Sequence, residues 1–232
     1  MPRRLEVIAT SLPEAIEAEA GGADRLELVR SLDQDGLSPD LELVRQILAA
    51  VSIPVRVMLR ENSSMSVAGE PEMSLLKAQA VAFATLPIDG LVLGWITPSG
   101  EVDVASIGAV LAGLDCPVTF HRAIEHVADP SRAIRALKQF PQIDRILSSG
   151  GPGSWPERKA RLLELQQAAA PGIQILVAVG LSPDALAGVF EDAALDEVHV
   201  GRAARHLQEV SGAVDRQQVA ALKKRQQRQS AP

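Results

Sequence analysis

The segment PVTFHRA (117–123) runs a β-branched and aromatic strand directly into a histidine and an arginine. A strand that ends in solvent has no need of that pair, and one buried on both faces tolerates it only where each charge is matched or used. Polar residues interrupt other apolar runs in the same way: Glu6 in LEVIAT, Glu27 in RLELV, Arg60 at the end of PVRVMLR and His199 in EVHVG. Histidine titrates near working pH, so His121 is expected as general acid/base, Glu27 as its partner or a second base, and Arg60 as a clamp for a carboxylate or phosphate. Three loops add backbone donors and hydroxyls. LSSGGPGSW brings Ser148, Ser149 and Gly150, VAVGLSPDAL brings Gly180, and HVGRAARHL brings Gly201 and Arg202. Amides at the start of a helix bind anions. These residues, with Glu6, Arg122 and His199, are therefore expected to contact a ligand.

Such a set is useful only if the fold converges it. Short apolar runs at 5–10, 25–29, 54–60, 90–94, 117–121, 145–149, 174–180 and 197–201 read as strands. Between them lie amphipathic stretches such as SLPEAIEAEAGG, SPDLELVRQILAAV, DVASIGAVLAGL, DPSRAIRALKQF and SPDALAGVFEDA, several opening on Ser or Asp followed by Pro, which cap and start helices. Strand–helix alternation demands parallel pairing. An Asp precedes four of the strands (Asp24, Asp89, Asp144 and Asp196), while IPVRVML and CPVTFHR open on proline instead, so the chain reads as four strand–helix–strand–helix quarters. An open doubly wound sheet would carry glycines in its first turn, and ATSLPEA has none. The expectation is a single (β/α)8 barrel over residues 1–222, with 223–232 a basic, disordered tail.

Alternation then sorts the strands. Leu26 and Leu28, Val55, Val57 and Leu59, Val118 and Phe120, and Val198 and Val200 face the helices. Glu6, Ile8, Thr10, Glu27, Arg56, Met58, Arg60, Thr119, His121 and His199 face inward. Arg60, His121, Ser148, Ser149 and His199 come late in their strands, at the end where barrel enzymes place their chemistry. The competing reading is a buried ion network that only fills the barrel, with Glu27 and Arg60 neutralising each other.

Composition narrows the function. The chain has 232 residues, 47% of them hydrophobic, and a net charge of −6, enough for one large core and the wrong sign for a nucleic-acid binder. No apolar run approaches the ~18 residues that span a bilayer, and MPRRLEVIAT lacks the form of a signal peptide. A lone cysteine, Cys116, forms no internal disulfide, so a reducing cytoplasm is expected. The expected partners are a small anionic molecule and further copies of the chain, with neither nucleic acid nor membrane.

In four segments, EAGGADRLEL, GLVLGWITPSGEVD, PVTFHRA and DRILSSGG, the chain resembles the CutC family, in that order along residues 5–205. The resemblance implies a TIM barrel with a link to copper homeostasis, and it assigns Glu27, Arg60, His121, Arg122 and Ser149 to a polar barrel mouth. ENSSMSVAGEPEM departs from the family's usual loop, and the segment after the seventh strand keeps only Gly180 of a glycine-rich run. Cysteines that relatives carry near the ends of the first two strands correspond here to Ile8 and Val29. Soft Cu(I) wants thiolate or thioether ligands. Cys116 stands at the opposite end of the barrel, and Met58, Met65 and Met73 read as packing. A copper site is therefore not expected, and neither a cofactor nor a metal is assigned. Glu27, His121 and His199 remain as donors for a hard or borderline divalent ion. The readings left open are an enzyme-like site for a small anion, a copper-handling protein, and a non-catalytic oligomeric scaffold.

Overall fold

The computed structural model describes residues 3–178, 188–189 and 194–228. Eight parallel strands follow one another around a closed barrel: β1 (Arg4–Ala9), β2 (Arg25–Leu28), β3 (Val55–Met58), β4 (Gly90–Leu93), β5 (Val118–Phe120), β6 (Ile143–Ser148), β7 (Gln174–Ala178) and β8 (Glu197–Val200), with β8 pairing back to β1. Outside them lie α1 (Leu12–Ala20), α2 (Leu41–Ala50), α3 (Glu70–Ala84), α4 (Val104–Leu111), α5 (Pro130–Leu137), α6 (Trp155–Ala169) and α7 (Arg216–Arg228). This is the expected (β/α)8 barrel. Its helix starts are those the sequence marks: Ser11, Asp103 and Asp129 each accept a backbone N–H in the first turn of α1, α4 and α5. Ser154 and Glu157 form a capping box on α6.

Two boundaries differ from expectation. The described strands stop a residue or two before the expected ends, so Arg60, His121, Ser149 and Gly201 stand just beyond the last paired residue. Helix α7 runs past the boundary expected at 222, because Lys223 donates to Asp24 and Gln226 is buried.

The alternation holds except at the start of β6, where the register against β5 shifts by a residue. Leu5, Val7, Leu26, Leu28, Val57, Leu91, Leu93, Val118, Phe120, Val198 and Val200 have no exposed surface and share one core with Ala15, Ala18, Val44, Ile47 and Leu76 of the helices. Each such side chain contributes about 1.5–3 kcal/mol by leaving water. The opposite face of the strands fills the barrel, and its lower half is charged. Arg25 bridges Glu6 and, at 3.0 Å, Glu197. Arg145 reaches Glu197 at 2.6 Å. Arg56 joins Asp89 (2.9 Å), Asp144 (2.7 Å) and the Thr119 hydroxyl (2.7 Å). The Asp repeat now has a structural role. Asp89 and Asp144 take Arg56, Asp24 takes the Leu5 backbone amide and Lys223, and Asp196 takes the Gln174 side-chain Nε2, all at the N-terminal end of the barrel. No helix among the described residues is long and apolar enough to cross a membrane.

Candidate functional site

At the C-terminal end of the strands the barrel opens into a cavity of about 730 Å³. Glu27, Arg60, His121, Arg122, Ser149, His199, Gly201 and Arg202, eight of the expected site residues, line it together. Glu6 lies one layer down, beneath His199. Ser148 and Gly150 lie behind the cavity wall, facing a groove beside α5 and α6. The Ser148 hydroxyl accepts from the Gly150 amide at 3.1 Å and donates to Glu125 at 3.4 Å. Gly150 is required there: its φ is +78°, and a Cβ would meet the Arg158 carbonyl oxygen at 2.5 Å. Gly180, with the loop after β7, lies outside the described residues.

Arg60 does not neutralise Glu27. Although only 3% exposed, its guanidinium donates to three backbone carbonyls, those of Asn62 (2.9 Å), Ser63 (2.6 Å) and Asp35 (3.4 Å). It makes no ion pair among the described residues, and burial pulls its pKa below the usual arginine value. Arg158, on α6, is held in the same way by the carbonyls of Ser149 (2.7 Å) and Ala178 (3.3 Å), with its guanidinium carbon over the Trp155 ring at 5.8 Å from the centroid. Arg122 folds onto Glu125 (2.8 Å) at the rim, and Glu125 also accepts the Ser149 amide. Arg202 makes no ion pair among the described residues and lines the cavity beside Gly201.

His121 takes a role other than the one its type suggested. It caps the short 3-10 helix Arg122–His126, its Nδ1 accepting the Ala123 amide at 3.1 Å. Burial, reinforced by the Arg60 charge, pushes its pKa down to about 3. A neutral imidazole whose Nδ1 accepts must carry its hydrogen on Nε2, and Nε2 is buried without a partner among the described residues. The group is therefore a fixed hydrogen-bond donor, and general acid/base work near neutral pH does not suit it. Gly94 makes room for the ring, since a Cβ there would stand 2.7 Å from Nδ1.

The floor carries the titratable group. His199 Nδ1 meets Glu6 at 2.7 Å, and Nε2 faces Glu27 at 3.7 Å. Burial raises Glu27 to about 7, with His199 and Arg25 opposing the shift. Burial disfavours charge on His199, but Glu27 and Glu6 outweigh it and raise that pKa. Glu6 itself sits well below the carboxylate range, because Arg25 and His199 overcome its burial.

Sequence reasoning missed Arg158, Glu125 and Gly94. Glu125 had a faint signal, its i,i+3 spacing from Arg122. Arg158 had none, since it reads as a solvated charge early in a helix.

A single (β/α)8 barrel with a cationic mouth at the C-terminal ends of its strands is the class these features define. The sequence model of the CutC family matches residues 3–204, and the chain belongs to that family. A CutC family protein of Xylella fastidiosa is 34% identical over 179 residues, covering 77% of this chain and 67% of that one. A copper homeostasis protein CutC homolog of Homo sapiens is 32% identical over 198 residues, covering 84% and 71%. Among solved structures, a CutC protein from Streptococcus agalactiae superposes with a TM-score of 0.75 at 24% identity, over 86% of this chain and 98% of that one. A phosphoribosylanthranilate isomerase from Thermotoga maritima shares the fold at a TM-score of 0.61 and 13% identity, over 98% and 99%.

The donor set does not suit the soft copper ion that the human relative's name brings to mind. Val29 packs with Met58 and Val92, and Ile8 lies against them, so the two positions expected for cysteine are apolar. Cys116 is buried just before β5, at the opposite end of the barrel. The mouth offers arginines, histidines and carboxylates, with thioethers only at Met58 and Met65.

Proposed function

We propose that this protein binds a small phosphorylated or carboxylated molecule in the barrel mouth, as an enzyme-like site rather than a copper carrier. The observation that carries the reading is the buried His121 Nε2–H, a donor with no partner among the described residues, in the same cavity as Arg60, Arg158 and Arg202. Among the described residues the guanidinium hydrogens of Arg60 and Arg158 meet backbone carbonyls, and none of the three arginines meets a carboxylate. A buried donor left open, as His121 Nε2–H is, is completed by an anion, and arginine forks free of carboxylates match carboxylate and phosphate oxygens in pairs. Arg60 is the clamp, His121 the neutral donor, and Arg202 with the 149–153 loop the outer wall. Glu27 and His199, on the floor, face the other end of such a molecule. A reducing cytoplasm is the setting in keeping with a single unpaired Cys116. Copper comes to this chain only through the names of relatives.

Titration with inorganic phosphate, sugar phosphates and small carboxylates, followed by thermal melts and by crystals soaked in the same compounds, tests the reading. At least one compound raises the melting temperature, and its oxygens lie against Arg60 and His121. Arg60→Ala lowers that affinity at least ~10-fold, as expected for a lost charge-assisted pair. Anions found only on the outer helices would overturn the proposal.

A further inference from the structure

We infer that the floor of the cavity is also a site for a divalent cation of the zinc class, held by Glu27 and His199 with Glu6 orienting the imidazole. One donor atom each from Glu6, Glu27 and His199 lie within 4.8 Å of one another, and all three residues are buried. The separation between His199 Nε2 and Glu27 Oε2 is 3.7 Å. That is too long for a hydrogen bond, yet close to the spacing of two ligands on one tetrahedral ion with metal–ligand bonds of about 2.0–2.2 Å.

The imidazole is already set for the task. Glu6, itself ion-paired with Arg25, meets Nδ1 at 2.7 Å. An ionised carboxylate there fixes the hydrogen on Nδ1 and turns the Nε2 lone pair towards Glu27, the carboxylate–histidine–metal arrangement of many sites. A second observation points to a missing ligand: Glu27 Oε1 is buried and has no hydrogen-bond partner among the described residues. A buried carboxylate oxygen left bare is a costly orphan that an ion or its bound water would complete.

Charge is compatible as well. Arg25 stands between Glu6 and Glu197, so its repulsion is answered twice over; it acts on Glu27 only through space, and no cation among the described residues apart from His199 contacts that carboxylate. Nitrogen and carboxylate oxygen donors select a borderline divalent ion and reject Cu(I). Two protein ligands leave coordination positions open towards the mouth for water or for an atom of the bound molecule.

The test uses the full, tag-free chain and metal alone, so its outcome is independent of anion binding. Co²⁺ is titrated under visible absorption and calorimetry, then displaced with Zn²⁺. A saturable one-to-one complex with the strong bands of a low-coordinate ion is expected. Glu27→Gln and His199→Ala each weaken it by at least ~100-fold, and Glu6→Gln, which removes only the orienting carboxylate, by about 10–100-fold. Melts without metal check folding, and if His199→Ala fails to fold, Glu27→Gln decides. A titration that gives only the pale six-coordinate aqua ion, or parent-like affinity in Glu27→Gln, would overturn the site. Parent-like affinity in Glu6→Gln would overturn its orienting role.

Discussion

His121 and Phe120 are neighbours with opposite duties. Phe120 has no exposed surface and packs with the helices, so Phe120→Ala should cost about 3–5 kcal/mol through the cavity it leaves. His121→Ala removes the Nδ1 acceptor of the Ala123 amide together with an Nε2 that has no partner among the described residues. It should cost only about 0.5–2 kcal/mol, the worth of the lost cap, while weakening anion binding. Melts of the two variants compare them directly, and equal losses would make the histidine a strut. The buried ring should also stay neutral between pH 5 and 8, because its pKa is pushed down to about 3. ¹⁵N chemical shifts that report protonation near pH 6.5 would contradict this. Alternation alone led to His121, Glu27 and His199, because a period of two leaves no other face for them. What each does was not legible. The acceptor role of Nδ1 depends on the Ala123 amide two residues on, and Arg60 turns to carbonyls in its own loop rather than to Glu27. Those are tertiary placements with no periodic signal.

At the scale of elements, the short strands put the site on loop starts, and glycines set how closely those loops approach. Gly94→Ala should push the His121 ring aside, lowering anion affinity and costing about 1–3 kcal/mol by overpacking. A crystal structure of that variant with an unmoved imidazole would show that the ring has slack. Gly150→Ala combines a left-handed backbone with a clash against the Arg158 carbonyl. It should loosen the 149–153 wall and be the more destabilising of the two in chemical denaturation. Helix starts were readable from Ser or Asp before Pro, since a capping side chain is a local property. Arg158 was not, although its helix opens on a capping box. What matters is that its guanidinium turns back under the loop from β6, and sequence separation hides that contact.

Across the whole molecule, the lower half of the barrel is an ion network that closure completes. Arg25 and Glu6 are both buried, so Arg25→Met strands a carboxylate and should cost about 3–5 kcal/mol. Burial would raise the Glu197 carboxyl, but Arg145 and Arg25 outweigh it and hold its pKa below the ordinary 4.5. Its contribution to stability is therefore complete above about pH 4.5 and is lost as pH falls through the lower, folded value. Glu197→Gln should flatten the acid limb of the stability curve and leave its slope above pH 6 alone, as denaturant titrations at each pH will show. The network also bears on how the chain divides. Arg56 of β3 depends on Thr119 and Asp144 from the second half, and Arg25 of β2 on Glu197 of β8. A chain nicked at the exposed turn between Ser99 and Gly100 would thus yield two pieces, each holding arginines or carboxylates whose counter-charges are on the other. Neither fragment should fold alone, and the two should assemble into one barrel when mixed, as mutual counter-ions.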